Sequence, residues 1–318
     1  MPATLTDVHA HFLTDDYVAA ARAAGIEHPD GMPGWPGFDL DDQVAAMDRR
    51  GIERAVLSVS SPGVHLVAGD DAGALALAEH VNDAATGMVR THPERLAFLA
   101  AVPLPDVDAA VRELRRAMDA GALGAIVESN AHGRYLGDPA FEPLWAELDR
   151  RRGILFVHPT SPPAWEQTSL GLPRPMLEFM VDSTRTVIDL LVAGVVARHP
   201  GMRVVVPHSG ATLGVLADRV SAFLPMLVGA DVGAAWDAQL QELWFDTAGT
   251  PFPRAIPALT GLVGTDRVLY GSDSCWTPPA GVDVQLAAID GAPAPEGATS
   301  WRALTAANAE RLLAGPAA

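Results

Sequence analysis

The sequence has little of what marks a secreted, membrane-bound or nucleic-acid-binding protein. Among 318 residues there is one cysteine, Cys275, so no disulfide can form within the chain, and we expect a reducing, cytoplasmic setting. The formal net charge of -17 argues against a basic surface for nucleic acid or anionic membrane. The nearest approach to a membrane span, residues 187–197, has about half the needed length and contains Asp189. The N-terminus has neither a basic nor an apolar segment, and we predict no signal peptide.

The chain also lacks a linker, a charge block and a low-complexity tract, so we predict a single domain over residues 1–318. Short apolar or β-branched runs alternate with amphipathic helical segments, a pattern typical of parallel strands covered by helices. The predicted strands are residues 5–12, 54–60, 96–102, 122–127, 154–158, 203–208, 243–247 and 268–273.

Eight such strands predict an α/β fold, a (β/α)8 TIM barrel, with an insertion loop after strand 1. An open doubly wound sheet is the alternative. It is disfavoured because no Gly-rich GxGxxG turn follows the first strand, where a dinucleotide fold would place one.

Several predicted helices carry their own start and stop signals. Asp106 is a candidate N-cap for one helix, and Asp138 followed by Pro139 marks the start of another. Glycines end others, as at Gly51 and Gly121. These signals support helices between the strands.

Polar side chains recur where the predicted strands end. His9 and His11 are one residue apart in the first strand, where the alternation of a strand turns both to the same face. His158 ends strand 5, His208 ends strand 6 and Asp273 ends strand 8. In a barrel these ends meet at one rim, so we expect the five groups to converge. Three imidazoles and a carboxylate can hold a divalent metal with one position open.

A set of motifs in this order extends along nearly the whole chain. The motifs are DVHAH at 7–11, NAHGRYLGDP at 130–139, FVHPT at 156–160, GLPRPMLEF at 171–179, DSTR at 182–185, PHSG at 207–210 and YGSD at 270–273. The chain resembles the amidohydrolase superfamily, in the branch of aminocarboxymuconate-semialdehyde, γ-resorcylate and 6-methylsalicylate decarboxylases. The resemblance implies a TIM barrel of the metal-dependent hydrolase type. It also implies a metal-dependent, non-oxidative decarboxylase of a small hydroxy-aromatic or enoic carboxylic acid.

The resemblance also implies roles for the strand-end residues. His9, His11, His158 and Asp273 are the implied ligands of one divalent metal, with Zn²⁺ expected first and Mn²⁺ second. His208 is the implied catalytic histidine, and either His208 or Asp273 delivers a proton to the carbon that loses CO2. Hydrolytic branches often place a carboxylated lysine after strand 4. Residues 124–130 contain none, so a lysine-bridged two-metal centre is not expected.

Four residues are candidates for contact with a substrate: Phe12, Trp35, Arg219 and Trp276. Phe12 could form a pocket wall or pack in the core, and the two tryptophans lie in loops on the predicted active side. In the semialdehyde decarboxylases an arginine near the offset of Arg219 reaches a neighbouring subunit's site, so the resemblance suggests a homodimer; an exposed helix arginine is the alternative. Residues 31–39 have no arginine where those enzymes bind a second carboxylate, which favours a monocarboxylate.

Other polar residues leave their roles open. Asp246 could orient a ligand histidine or bind a nearby backbone group, and Glu128 and His132 could enter the pocket. A hydrolase of a lactone, amide or ester is the alternative function on the same scaffold, since the residues hardly separate the two reactions. A non-catalytic barrel that binds a ligand is the third hypothesis, and the intact ligand set disfavours it.

Overall fold

Parallel strands and helices alternate through residues 4–315, which are the residues described by the structure, a computed structural model. The strands are β1 (Leu5–His11), β2 (Ile52–Ser58), β3 (Leu96–Phe98), β4 (Ala100–Ala101), β5 (Gly124–Glu128), β6 (Asn130–Ala131), β7 (Arg134–Tyr135), β8 (Ile154–His158), β9 (Arg203–Val206), β10 (Trp244–Asp246) and β11 (Val268–Leu269). The α-helices are α1 (Asp15–Ala23), α2 (Leu40–Arg50), α3 (Asp71–Thr91), α4 (Val107–Asp119), α5 (Glu142–Arg150), α6 (Trp165–Thr168), α7 (Glu178–Val192), α8 (Val195–Arg198), α9 (Leu213–Leu227), α10 (Ala230–Leu240), α11 (Ile256–Val263), α12 (Pro279–Gly291) and α13 (Trp301–Ala314).

Nine of the strands form two parallel sheets that share one segment of chain, and β6 pairs with β7 in a separate antiparallel hairpin. One sheet has the order β1-β2-β3 and the other β11-β10-β9-β8-β5-β4. Only Leu99 separates β3 from β4, so this segment belongs to both sheets. Parallel bridges pair Asp7 with Tyr270 and Ala10 with Ser274, and these place β1 beside the chain that follows β11. This parallel order with interleaved helices fits an α/β fold of the TIM-barrel type.

The strands are buried on both faces, as their apolar composition predicts. Alternate residues contribute to an inner cluster that includes Val8, Val56, Ile126, Phe156, Val205 and Leu269. Their neighbours along the strands, such as Leu155 and Val206, join a larger cluster that faces the helices. Period-two alternation therefore divides each strand between an interior core and a layer under the helices.

The predicted helix signals are confirmed at the ends of several helices. The Asp106 carboxylate accepts a hydrogen bond from the Ala109 N–H at 3.0 Å and caps α4. Asp138 accepts one from the Ala140 N–H at 2.8 Å and starts the short 3-10 turn before α5. Gly51 follows α2 in the left-handed conformation with φ 69°, where a residue without a side chain has no steric penalty.

The helices differ widely in length. The longest, α3, has 21 residues and carries several charged side chains. Within residues 4–315, no helix combines the length and the apolar character that a bilayer crossing requires.

The connection between β1 and β2 is longer than a single helical crossover. It contains α1, a 3-10 turn at Pro29–Gly31 and α2. The 3-10 turn lies at the carboxyl ends of the strands, because Asp30 contacts Ser61 and Ser161, which follow β2 and β8. This connection therefore supplies part of the wall around the strand ends.

Candidate metal centre and adjoining cavity

Four side chains gather at the carboxyl ends of the strands. His9 and His11 come from β1, His158 ends β8 and Asp273 follows β11, and one ligand atom from each lies within 4.8 Å of all the others. His9 Nε2 is 2.9 Å from His11 Nε2, and Asp273 Oδ1 is 3.2 Å from His11 Nε2. The three imidazoles are buried, whereas the Asp273 side chain is 21% exposed. The structure thus brings together the four residues that the resemblance implied as ligands.

Contacts behind the imidazoles orient their inward nitrogens. His9 Nδ1 is 2.7 Å from Asp246 Oδ2, and His11 Nδ1 is 3.1 Å from Ser58 Oγ. His158 Nδ1 lies 2.7 Å from the backbone carbonyl oxygen of the next residue. A histidine that donates its Nδ1 proton outward presents an Nε2 lone pair on the other side of the ring. Three such lone pairs and a carboxylate form a donor set that fits one divalent cation.

The electrostatics of His11, His158 and Asp273 favour the protonation states that metal ligands adopt, whereas His9 is shifted toward its protonated form. Burial and the neighbouring imidazoles hold the pKa of His158 well below its usual range, and burial lowers the pKa of His11. Burial also acts to lower the pKa of His9, but the carboxylates of Asp246 and Asp273 outweigh it and raise the value to about 8. Despite burial, hydrogen bonds from His11 and His208 keep the pKa of Asp273 well below normal. Neutral imidazole and ionised carboxylate are the forms that bind metals.

His208 lies beside the cluster, just after β9. Its Nε2 is 3.4 Å from Asp273 Oδ2, and its ring centroid is 5.3 Å from that of His9. Within residues 4–315, its Nδ1 has no hydrogen-bond partner. The backbone of His208 is left-handed with φ 55°, as is that of Asp273 with φ 58°, a conformation that is costly for residues with side chains. Both residues therefore keep a costly backbone conformation that the surrounding contacts must stabilise.

Asp246 connects the ligand shell to the segment that carries His208. Its Oδ2 accepts the hydrogen bond from His9, while its Oδ1 accepts hydrogen bonds from the backbone N–H groups of His208 and Ala248, each at 2.9 Å. The side chain is fully buried. Asp246 thus makes both kinds of contact that the sequence left open, one to a histidine and one to the backbone.

A cavity of about 470 Å³ adjoins the cluster on the side of His158 and Asp273. His158, His208 and Asp273 lie at one end of it. Its apolar wall includes Met32, Pro175, Met176, Phe179, Met180 and Trp276. Its other polar side chains are those of Asp30, Ser60, Ser61, Ser209, Thr250 and Thr277. No arginine of residues 4–315 lines it, so the cations available to a ligand are limited to a bound metal and protonated histidine.

The four candidates for substrate contact occupy different environments. Trp276 lines the cavity and donates its indole N–H to Ser60 Oγ at 2.5 Å. Trp35 packs behind Trp276, with ring centroids 5.8 Å apart, and does not line the cavity. Phe12 is buried in the outer core cluster, and Arg219 is exposed on α9, where it stacks on a phenylalanine ring. Trp276 is therefore the one of the four that reaches this cavity within the chain.

Glu128 and His132 line a second, smaller cavity of about 200 Å³. His132 Nε2 is 2.9 Å from His65 Nδ1, and His65 Nε2 is 2.8 Å from Asp71 Oδ1. Glu128 Oε2 approaches His158 Nδ1 at 3.6 Å, so this carboxylate lies between the two cavities. The sequence reasoning did not single out His65, because no motif or strand end marks it.

Sequence reasoning also missed Asp30, Ser60 and Ser61, which line the larger cavity. Asp30 lies in the 3-10 turn between β1 and β2, and the serines lie in the loop after β2. A proline- and glycine-rich loop carries no periodic signal that would identify a buried carboxylate. The polar residues Ser60 and Ser61 directly after a strand were the available clue for that part of the wall.

Comparisons with known proteins agree with this geometry. Residues 6–318 match a family model described as amidohydrolase. A 6-methylsalicylic acid decarboxylase of Aspergillus aculeatus is 34% identical over 278 residues, which cover 84% of this chain and 83% of that protein. A solved structure of an amidohydrolase has a TM-score of 0.90 at 32% identity and covers 98% of this chain and 100% of its own.

A second solved structure is more distant in sequence. It is a 5-carboxyvanillate decarboxylase of Novosphingobium aromaticivorans, complexed with manganese and 4-hydroxy-3-methoxy-5-nitrobenzoic acid. Its TM-score is 0.86 at 22% identity, with coverage of 98% of this chain and 96% of its own. At that identity the likeness supports the fold alone.

Proposed function

The chain belongs to the amidohydrolase family, and from that premise we propose that it is a metal-dependent, non-oxidative decarboxylase of a small hydroxy-aromatic or enoic carboxylic acid. The observation that carries the proposal is the convergence of His9, His11, His158 and Asp273 beside a cavity with a mainly apolar wall. The relative from Aspergillus aculeatus is named for 6-methylsalicylic acid, a hydroxy-aromatic acid with one carboxyl group. A ring of that kind suits the methionine, phenylalanine and tryptophan side chains of the wall.

The four converging residues would hold one divalent cation, and His208 and Asp273 would carry the chemistry. When bound, the cation would stabilise the negative charge that develops as CO2 leaves. Zn²⁺ and Mn²⁺ are both candidates, because imidazole and carboxylate ligands together accept either. The manganese in the carboxyvanillate decarboxylase supports Mn²⁺ as a metal to test first.

The chain's own side chains orient the candidate ligands and supply the proton. His9 is fixed by the buried carboxylate of Asp246, which also holds the backbone of His208. His208 Nε2 and Asp273 Oδ2, 3.4 Å apart, can share a proton at the edge of the cavity. One of these two atoms delivers the proton to the carbon that has lost CO2. The apolar wall favours the overall reaction, because the carboxyl group leaves as neutral CO2 and the delivered proton takes up the electron pair left on the carbon, so that the charge of the carboxylate is lost.

The test is release of CO2 from salicylate-type acids by protein loaded with Mn²⁺ or Zn²⁺. We expect His158→Ala to lose both the metal and the activity. His199→Ala is the matched control, since His199 lies away from the site and pairs with Glu142. Activity retained by His158→Ala without bound metal would refute the mechanism. Consumption of base without CO2, on lactone, amide or ester substrates, would support the hydrolase alternative instead.

We further propose that the strands close into one eight-stranded barrel within a single domain over residues 1–318, with the β1–β2 connection as its insertion. The bridges between β1 and the chain after β11, and the inner cluster fed by successive strands, support closure. Limited proteolysis checks it: one cooperative domain should resist cleavage except at exposed loops, whereas release of a stable half-molecule would contradict it.

A homodimer is part of the same proposal. Helix α9, which carries Arg219, also exposes the large apolar side chains of Val215, Met226 and Leu227, and exposed apolar side chains favour association. We expect an Arg219→Ala variant to regain activity when mixed with His158→Ala if the two subunits share a site. Light scattering that gives the mass of a single chain would exclude the dimer. A cytoplasmic location stays a prediction that depends on the single cysteine.

A further inference from the structure

Asp30 is a buried carboxylate in the wall of the larger cavity. Its side chain is 8% exposed, and its backbone is left-handed with φ 51°. It lines the same cavity as His158 and Asp273, but it belongs to the connection between β1 and β2 and not to a strand end. Aspartate at such a backbone position costs less than most residues but more than glycine, so the side chain is held there by its contacts.

Those contacts come from two other loops. Asp30 Oδ2 accepts a hydrogen bond from Ser61 Oγ at 2.7 Å, and Asp30 Oδ1 accepts one from Ser161 Oγ at 2.5 Å. Ser161 Oγ in turn accepts a hydrogen bond from Arg174 Nε at 2.9 Å. The guanidinium of Arg174 therefore binds a serine and makes no direct ion pair with the carboxylate within residues 4–315. Burial raises the pKa of Asp30, and the hydrogen bonds from the two serines and the charge of Arg174 oppose that rise and favour the ionised form.

The charged side chains that line the cavity itself are nevertheless carboxylates. Asp30 and Asp273 both line it, and none of the described arginines does. The chain contains no lysine, so no other permanently charged cation is available to it. A bound metal, beside Asp273, would neutralise the charge of one substrate carboxylate. A second carboxylate reaching toward Asp30 would meet an anion in a partly buried space, where like charges repel far more than they do in water.

We propose that Asp30 is a specificity-determining residue, which restricts the cavity to acids with one carboxylate by placing a buried like charge where a second carboxylate would lie. This inference rests on the proposed function, because it assumes that a carboxylic acid occupies the cavity. It goes beyond that function by naming the residue that rejects dicarboxylic acids and the physical cause of the rejection. Uncharged substituents of the same size are accepted at that place.

The test compares three hydroxybenzoic acids in a binding assay: a monocarboxylate, the same ring with a second carboxylate, and the methyl ester of that second carboxylate. Calorimetry with metal-loaded protein gives the three dissociation constants. We expect the ester to bind at least about tenfold more tightly than the diacid, because the two have similar size and differ in charge. If ester and diacid are rejected alike, the rejection is steric and the proposal is wrong.

Variants then locate the effect. Asp30→Asn should reduce the preference for monocarboxylate over dicarboxylate by about tenfold or more, while its affinity for the monocarboxylate stays within about threefold. Asp283→Asn removes the same charge from an exposed site, where Asp283 pairs with Arg50, and should leave the preference unchanged. An unchanged preference in a folded, metal-loaded Asp30→Asn protein would overturn the proposal.

A second variant and a separate activity assay distinguish failure of this proposal from failure of the proposed function. If Asp30→Asn fails to fold, Met32→Arg supplies a cation on the same wall and should strengthen binding of the diacid; no gain would count against the proposal. If none of the acids releases CO2, the proposed decarboxylase function fails. The binding preference and its dependence on Asp30 remain measurable in that case and are judged separately.

Discussion

Replacing Asp246 with asparagine should weaken metal binding while leaving the fold intact. Asp246 Oδ2 lies 2.7 Å from His9 Nδ1, and a neutral imidazole that donates its proton there carries its lone pair on Nε2, toward the other candidate ligands. Asparagine has nearly the same shape, and its oxygen can keep the two backbone hydrogen bonds that Oδ1 accepts from His208 and Ala248. Its NH2 group then faces His9, which must accept there and carry its proton on Nε2, in the place of the metal.

The expected size of the effect follows from this change of tautomer. Loss of a carboxylate behind a ligand histidine costs about 10- to 100-fold in metal affinity. Titration of the metal-free protein against a fluorescent chelator of known affinity measures the dissociation constant. Asp71→Asn is the matched control, because Asp71 makes an equivalent 2.8 Å contact with His65, which is not among the four ligands.

The two variants separate a specific effect from a general one. Asp246→Asn should lose affinity for the metal, with a melting temperature close to that of the parent when both lack metal. Asp71→Asn should bind the metal as the parent does. Equal metal affinity in all three proteins would refute the role assigned to Asp246 and the orientation of His9 that depends on it.

Three other perturbations test different parts of the structure. The hydrogen bond from Arg150, with those of neighbouring arginines, holds the pKa of the buried Glu147 below its usual value. The ionised carboxylate therefore stabilises the folded state above the unfolded pKa of about 4.3, and this stability is lost as the pH falls toward the folded pKa. Glu147→Gln should therefore cost about 2 kcal/mol by urea denaturation at pH 7, a difference that shrinks below about pH 4; a constant difference would contradict this. Trp276→Phe removes the hydrogen bond to Ser60 and should raise KM about fivefold in steady-state kinetics with little change in kcat, whereas a fall in kcat alone would place Trp276 elsewhere in the reaction. His208→Gly should lower kcat by a factor of about 100 to 10,000 without lowering the melting temperature, since glycine adopts φ 55° at no steric cost; a less stable protein would argue against strain there.

The convergence of the four candidate ligands could be predicted from the sequence because its signals are local. His9 and His11 share a face through strand alternation alone, and His158 directly ends an apolar run. The TIM-barrel topology then carries these side chains to one rim. The eighth strand was less predictable. Its observed part, β11, has two residues, and the backbone is no longer extended at Asp273, where φ is 58°.

The cavity wall could not be predicted in the same way, because tertiary contacts select its residues. Asp30 is buried by serines 31 and 131 positions away, and no local pattern relates these sites. Trp35 and Trp276 both lie in loops, and only their mutual packing decides which ring faces the cavity. The environment of Phe12 was likewise decided by packing, which places it in the core cluster.

The contact between His9 and Asp246 spans 237 positions of the chain, and Asp273 comes later still. During synthesis, the imidazoles of the first strand leave the ribosome long before either carboxylate. A nascent chain therefore presents histidines without the groups that orient and neutralise them. We expect ribosome-stalled chains that end before residue 246 to bind metal only weakly, so that maturation with metal becomes one of the last events of biogenesis.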